Sequence, residues 1–522
     1  MRLTFMAVAL LLAGLGTSQA QTGITKPDNI KPTLIRGPYL QAATSNSIVV
    51  RWRTDVYTRS RVQYGETPGK LDKQVQDAGL VTEHKIKLEN LQPNTRYYYN
   101  IGGYQYILQG DSNNRFTTLP VAGAKGLYRV AALGDCGNNS VNQRQVKDAL
   151  LKYLDGKELN AWILLGDNAY PNGKDAEFQT NFFNVYKDDI LRFSPLFPAP
   201  GNHDYRDNDI SSQYAAITHQ TAYYQSFTMP TEGESGGLPS HNQAFYSFDI
   251  GNIHFLSLDS YGIEDSLYHM WDTTGPQAQW VLKDLAANKN KDWVVAYWHH
   301  PPYTKGSHDS DTEDDLQKIR ENFIQLLERN GVDLVLNGHS HVYERSRLMQ
   351  NHFGKAETFD AKKNNLSQST ARYDGAPVSA PYIKDSLHTL GTVYVVSGSA
   401  GQLGGKHPGW PHKAMYFSDN EHGGSCLLEV QENRLDLKWV CADGVVRDQF
   451  TMMKNVNKHH DIHIKKNEQA TLTASFIGQY KWNKSAANTR SITVTPAAAV
   501  TKYTVTDPYN NLKDTFTVYV SK

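Results

Sequence analysis

From residue 33 to 120 the chain alternates apolar and polar positions in short runs, the period of two that a half-buried strand requires. Ser47-Ile48-Val49-Val50-Arg51-Trp52-Arg53 and Ser60-Arg61-Val62-Gln63-Tyr64-Gly65 read as strands. His84-Lys85-Ile86-Lys87-Leu88 is a third, and Leu91-Gln92-Pro93-Asn94-Thr95 turns into a fourth, Arg96-Tyr97-Tyr98-Tyr99-Asn100-Ile101. Short strands with turn signals between them predict an N-terminal β-sandwich over residues 33–120. From Tyr128 strands and helices alternate. Val130-Ala131-Ala132-Leu133, Trp162-Ile163-Leu164-Leu165, Trp293-Val294-Val295-Ala296-Tyr297 and Val332 to Leu336 are buried strands. Val146, Leu150 and Tyr153 mark one face of a helix, and Pro276 to Ala287 and Thr312 to Asn330 are two more. This rhythm predicts a central α/β domain over residues 126–452, with its site at the strand ends.

Residues 346–390 are polar and irregular, an insertion expected to border the cleft. Strands resume at Thr392, and a hairpin turning near Asn433-Arg434 closes the domain. His459, His460 and His463 fall in a segment that reads as a polar, solvated linker. Residues 464–522 alternate again and predict a small immunoglobulin-like β-sandwich, similar to appended bacterial surface modules.

At 522 residues the chain is too long for one core. Its 53 basic and 53 acidic residues balance, which gives no reason to expect nucleic acid or an acidic membrane as partner. Residues 1–20 have the parts of a secretory signal: Arg2, an apolar run from Met6 to Leu15, and small residues before Gln21. No later run is long enough to span a bilayer. The expectation is an exported protein (periplasmic, cell-surface or secreted) with no integral membrane segment. The C-terminal domain is the part that would associate with a cell surface. Three cysteines are too few for a disulfide scaffold. Cys426 and Cys441 flank the hairpin, where a bond and two free buried thiols are both open, and Cys136 reads as a buried neighbour.

The chemistry sits where the apolar runs end. Val335-Leu336-Asn337-Gly338-His339-Ser340-His341 puts two histidines at i, i+2 after a strand, a spacing that turns both imidazoles to one side. Asp135, Asp167, Tyr170, Asn202 and His299 follow other runs in the same way. Carboxylate, imidazole, amide and phenol donors suit iron, manganese or zinc. Seven are too many for one ion that keeps a water. They suit two ions bridged by a carboxylate and roughly 3.5–4 Å apart.

Gly134-Asp135-Cys136-Gly137, Gly166-Asp167-Asn168-Ala169-Tyr170, Gly201-Asn202-His203-Asp204, His299-His300-Pro301 and Gly338-His339-Ser340-His341 resemble, in order, the five motifs of the calcineurin-like metallophosphoesterases. Gly137 stands where most of these place a histidine, and Tyr170 supplies a donor instead. That pair resembles the purple acid phosphatases. Residues 33–120 are similar to the fibronectin type III-like module that precedes their αββα catalytic domain. The resemblance implies that Asp135, Asp167, Tyr170 and His341 hold iron(III), and that Asp167, Asn202, His299 and His339 hold a divalent iron, zinc or manganese. It implies a small phosphate ester as substrate, attacked in line by a metal-bound hydroxide. His203 would lie near the substrate phosphate, and His308 is the nearest equivalent of the leaving-group acid. A phosphodiesterase or nucleotide pyrophosphatase on the same fold is the near alternative. A non-catalytic surface-binding protein is the remote one.

Overall fold

Residues 31–206, 211–385 and 390–521 are described in a computed structural model of the chain. The signal segment read at residues 1–20 lies outside the described residues. The first six strands are β1 (Leu34–Gln41), β2 (Ile48–Gly65), β3 (Lys73–Leu88), β4 (Arg96–Gly102), β5 (Ile107–Gln109) and β6 (Arg115–Thr117). The two runs read separately at 47–53 and 60–65 are halves of the 18-residue β2. Its pairing with β3 breaks register between Arg53 and Thr58, and only the second half pairs with β4. Alternation buries Val50, Trp52, Val62, Tyr97, Tyr99 and Phe116 together, so these tyrosines are core residues.

The β-rich domain grips the central domain. Arg36 and Arg53 both reach Asp175 Oδ1, at 2.9 and 2.7 Å. Asp175 lies five residues after Tyr170, so the grip fixes the far end of that loop.

The central domain contains β7 (Leu127–Leu133), β8 (Ala161–Leu165), β9 (Leu196–Ala199), β10 (Tyr246–Ile250), β11 (Ile253–Ser257), β12 (Trp293–Tyr297), β13 (Leu334–Asn337), β14 (Tyr343–Ser346), β15 (Tyr382–Lys384), β16 (Val393–Ser397), β17 (Met415–Asp419), β18 (Gly424–Gln431), β19 (Arg434–Cys441) and β20 (Val446–Lys454). One sheet runs β15-β20-β19-β18-β7-β8-β9 and joins β1; the other runs β10-β11-β12-β13-β16-β14-β17. Their strands are apolar on both faces because the sheets pack on each other while helices cover the outside. Phe197 of β9 stacks on Phe248 of β10 at 3.8 Å, and Tyr343 of β14 on Trp439 of β19 at 4.3 Å. The helix at Val141–Leu154 buries Val146 and Leu150, and that at Pro276–Ala287 starts on its proline. Asp314–Lys318, Ile319–Phe323 and Ile324–Arg329 run on as one helix with a π turn in the middle. Strands β7, β8 and β9 are mutually parallel, as are β11, β12, β13 and β16. The loops after β7, β8, β9, β12 and β13 therefore meet at one edge.

Two readings need adjusting, the linker and the insertion, and one left open, the state of Cys426 and Cys441, is decided. The supposed linker is a strand, β21 (His459–Lys465), paired in parallel with β26 (Lys513–Ser521). His459, Asp461, His463 and Lys465 fill its exposed face, which hid the alternation that buries Ile464; His460 stacks on Phe516 at 4.9 Å. With β22 (Ala470–Thr473), β23 (Lys481–Trp482), β24 (Ser491–Val494) and β25 (Val500–Thr506), it forms C-terminal sheets of four and two strands around Leu472, Val505 and Val518. The hairpin register sets Cys426 opposite Trp439 and Cys441 opposite Gly424, and all three cysteines are buried and free. The insertion is not wholly irregular: it carries a short helix at Ala361–Asn364 and β15. Its first part packs on the loop that bears His308, through Tyr303 with His352 and through the Ala356 N–H donating to Asp311 at 3.0 Å.

Candidate metal centre

Three of the strand-end residues are held in the left-handed region: Asp135 at φ 58°, Asp167 at 53° and His339 at 67°. Such backbone is costly for residues with a side chain and concentrates at functional sites. It turns each side chain back toward the cleft as its strand ends. Gly166, at φ 90°, leaves room for His299: a Cβ there would sit 2.5 Å from His299 Nδ1.

All seven strand-end donors converge, in two groups. In the first, the Tyr170 hydroxyl lies 2.9 Å from Asp135 Oδ1, 3.0 Å from Asp167 Oδ2 and 3.1 Å from His341 Nε2. One proton cannot serve both carboxylates. In the second, His299 donates Nδ1–H to the Leu165 carbonyl at 2.9 Å, which leaves Nε2 as a lone pair in the neutral ring. That nitrogen faces Asn202 Oδ1 at 3.1 Å, Asp167 Oδ2 at 3.2 Å and His339 Nδ1 at 3.2 Å. Four acceptors around one point call for a cation. Asp167 Oδ2 belongs to both groups, and its other oxygen accepts the His203 N–H at 2.8 Å. Hard oxygen and imidazole donors, all buried but the half-buried His341, fit the dinuclear centre that the sequence implies.

The electrostatics agree. Burial opposes charge on His299, yet the Asp167 carboxylate outweighs it and raises the ring to about 9, so a proton stands in where a metal would. Burial works against Asp167 ionising too, but His299 and His203 hold its carboxyl well below the usual range. The Tyr170 hydroxyl is driven well above its ordinary value by burial and then by Asp135 and Asp167. A strong Lewis acid among those oxygens is what would make it a phenolate.

A calcineurin-like phosphoesterase model matches residues 128–343, and the model of the purple acid phosphatase N-terminal domain matches residues 36–118. The chain thus carries a purple acid phosphatase N-terminal domain followed by a calcineurin-like phosphoesterase domain. Purple acid phosphatase 21 of Arabidopsis thaliana is 28% identical, over 60% of this chain and 67% of that protein. Human acid phosphatase type 7 is 29% identical, over 68% of this chain and 75% of that one. Matches to Arabidopsis purple acid phosphatases 23 and 15 span 58% and 50% of their lengths. The chain thus spans between half and two thirds of these Arabidopsis relatives. The purple acid phosphatase PPD1 of yellow lupin seeds shares the fold, with TM-score 0.60 and 19% identity over 81% of this chain and 75% of that one.

Close packing of two loops gives a physical reason for Gly137. A Cβ there would lie 1.9 Å from the Asn168 carbonyl oxygen, and the Gly137 carbonyl accepts the Tyr170 N–H at 2.8 Å. The two loops touch, so no side chain fits at 137.

His203 lies at the mouth. It donates Nδ1–H to the Pro171 carbonyl at 2.6 Å, and its Nε2 is 2.8 Å from an Arg206 guanidinium nitrogen and 3.8 Å from Asp167. His308 is brought in as well, its ring centroid 3.7 Å from that of His339. His300 stands beside the centre with Nδ1 on Ser260 Oγ at 2.9 Å, whereas His299 is the one that meets Asn202 and Asp167.

Sequence reasoning missed the supports. Asp204 accepts from the backbone of Asn168 and Gly201 at 3.0 and 2.8 Å, tying together the loops that carry Asp167 and Asn202. Burial and then Asp167 push its carboxyl up to about 8. Ser307 Oγ accepts the His341 N–H at 2.8 Å, and the Gln402 amide lies 3.1 Å from His341 Nδ1. Only Asp204 carried a signal, its place in the Gly201-Asn202-His203-Asp204 motif. The others come from loops with no pattern of their own.

Proposed function

We propose that this chain is an acid phosphatase that hydrolyses small phosphate monoesters at a dinuclear metal centre. Asp135, Tyr170 and His341 would hold iron(III), Asn202, His299 and His339 a divalent iron, zinc or manganese, and Asp167 both. The observation that carries the reading is Asp167 Oδ2, one carboxylate oxygen lying 3.0 Å from the Tyr170 hydroxyl and 3.2 Å from His299 Nε2. When bound, the two ions would supply the Lewis acidity that activates water and neutralises phosphate charge. The chain's own residues do the rest. His203, with Nδ1 committed to Pro171, would offer Nε2 to an oxygen of the ester once the Arg206 guanidinium turns away from that nitrogen and it is protonated. His308, with Nδ1 held by Glu313 at 2.9 Å, has Nε2 free to protonate the departing alkoxide.

In the same reading the mature chain is exported. Residues 33–120 act as a fibronectin-like module and the C-terminal sheets as an immunoglobulin-like one that associates with a cell surface. No helix among the described residues is long and apolar enough to cross a membrane.

The test is hydrolysis of mono- and bis-(nitrophenyl) phosphate in mildly acidic buffer. The monoester should turn over faster, by about 10-fold or more, a gap of about 1.4 kcal/mol in barrier. A preference for the diester would move the chain to the phosphodiesterases.

A further inference from the structure

Glu313 stands immediately before the helix that begins at Asp314, yet its side chain does not cap that helix. Its Oε1 accepts the Asp309 N–H at 2.8 Å, which anchors the carboxylate. The other oxygen lies 2.9 Å from His308 Nδ1 and 3.6 Å from His339 Nε2. His339 Nε2 is buried and makes no hydrogen bond. The opposite nitrogen of that ring, Nδ1, faces His299 Nε2 in the centre. If Nδ1 presents a lone pair to a metal, the ring's proton must be on Nε2, and Glu313 is the carboxylate beside it. A metal-holding histidine almost always gives its outer N–H to such a group, which fixes the tautomer and the ring plane.

We propose that Glu313 is a positioning residue that takes the outer N–H of His339 and the Nδ1–H of His308 on one carboxylate, aligning a metal-holding imidazole with the leaving-group acid. The inference rests on the dinuclear reading above and extends it. A single group then sets both how tightly the His299, Asn202 and His339 side holds its ion and where the proton donor stands. The stack of His308 on His339 results from both rings being hung from Glu313.

The test is zinc(II) titration of the full chain, freed of metal, against a competing chelator. Wild type should bind two ions. Glu313→Gln should bind one as wild type and the other about 10–100-fold more weakly, with the melting temperature of the metal-free protein unchanged. Glu313→Asp, which keeps the charge, should fall between. His308→Ala should bind both ions as wild type, which separates the effect on His339 from the effect on His308. Two ions held at wild-type affinity by Glu313→Gln would overturn the role of Glu313 and leave the centre standing. Fewer than two ions in wild type would overturn the dinuclear reading and Glu313 with it. A third ion in wild type that the variant loses would make Glu313 a ligand, and that too would overturn a positioning role.

Discussion

Asp167→Asn should lower monoester turnover by at least about 10³-fold, more than loss of a single charge-stabilising donor normally does. Asn keeps the side-chain volume and can still accept the His203 N–H, now 2.8 Å from Oδ1. The loop, at its strained φ of 53°, is one asparagine adopts as readily as aspartate. Folding is therefore expected to survive. What the change removes is the negative oxygen that both donor groups share. With only an amide there, the two groups lose their common anion, and metal content should fall along with activity. Turnover per folded protein, measured beside metal analysis, checks this. A variant with full metal and turnover within about 10-fold of wild type would reduce Asp167 to a loop anchor.

His308→Ala should slow alkyl phosphate esters by about 10²–10⁴-fold and nitrophenyl esters far less. An alkoxide is a poor leaving group until it is protonated, while nitrophenolate departs without help. The residue is a third exposed, at 34% of its side chain, so the cleft remains open to water that can stand in for part of the loss. A leaving-group series read on kcat/KM gives the answer. Equal slowing across the series would assign the 3.7 Å stack on His339 a packing role and remove His308 from proton transfer.

The candidate ligand set is legible because each donor follows a buried apolar run, and runs of that kind can be read from residue type alone. Their convergence depends on two sheets meeting at one edge, which the motif order implies and periodicity cannot. What the sequence conceals has a common cause. Ser307 and Gln402 lie in loops without period and Glu313 sits at the start of a helix, and only the tertiary structure brings them to His339 and His341. The strained φ values of Asp135, Asp167 and His339 are equally invisible in a string of letters, although glycines nearby hint at close approach. The β21 strand escapes a reading by pattern because its exposed face carries His459, Asp461 and His463, a polar pattern that composition reads as linker. The long β2 reads as two strands because register breaks between Arg53 and Thr58, and a break looks like a turn.

The central claim is that two metals share Asp167, one of them iron(III) bound by the Tyr170 phenolate. Metal content and visible spectrum, measured together on purified full-length wild type and Tyr170→Phe, test it most directly. The account predicts two ions per wild-type chain, at least one of them iron, and a charge-transfer band that disappears per bound iron in Tyr170→Phe. One ion or none per active wild-type chain, or a band per iron that the substitution leaves unchanged, would contradict it.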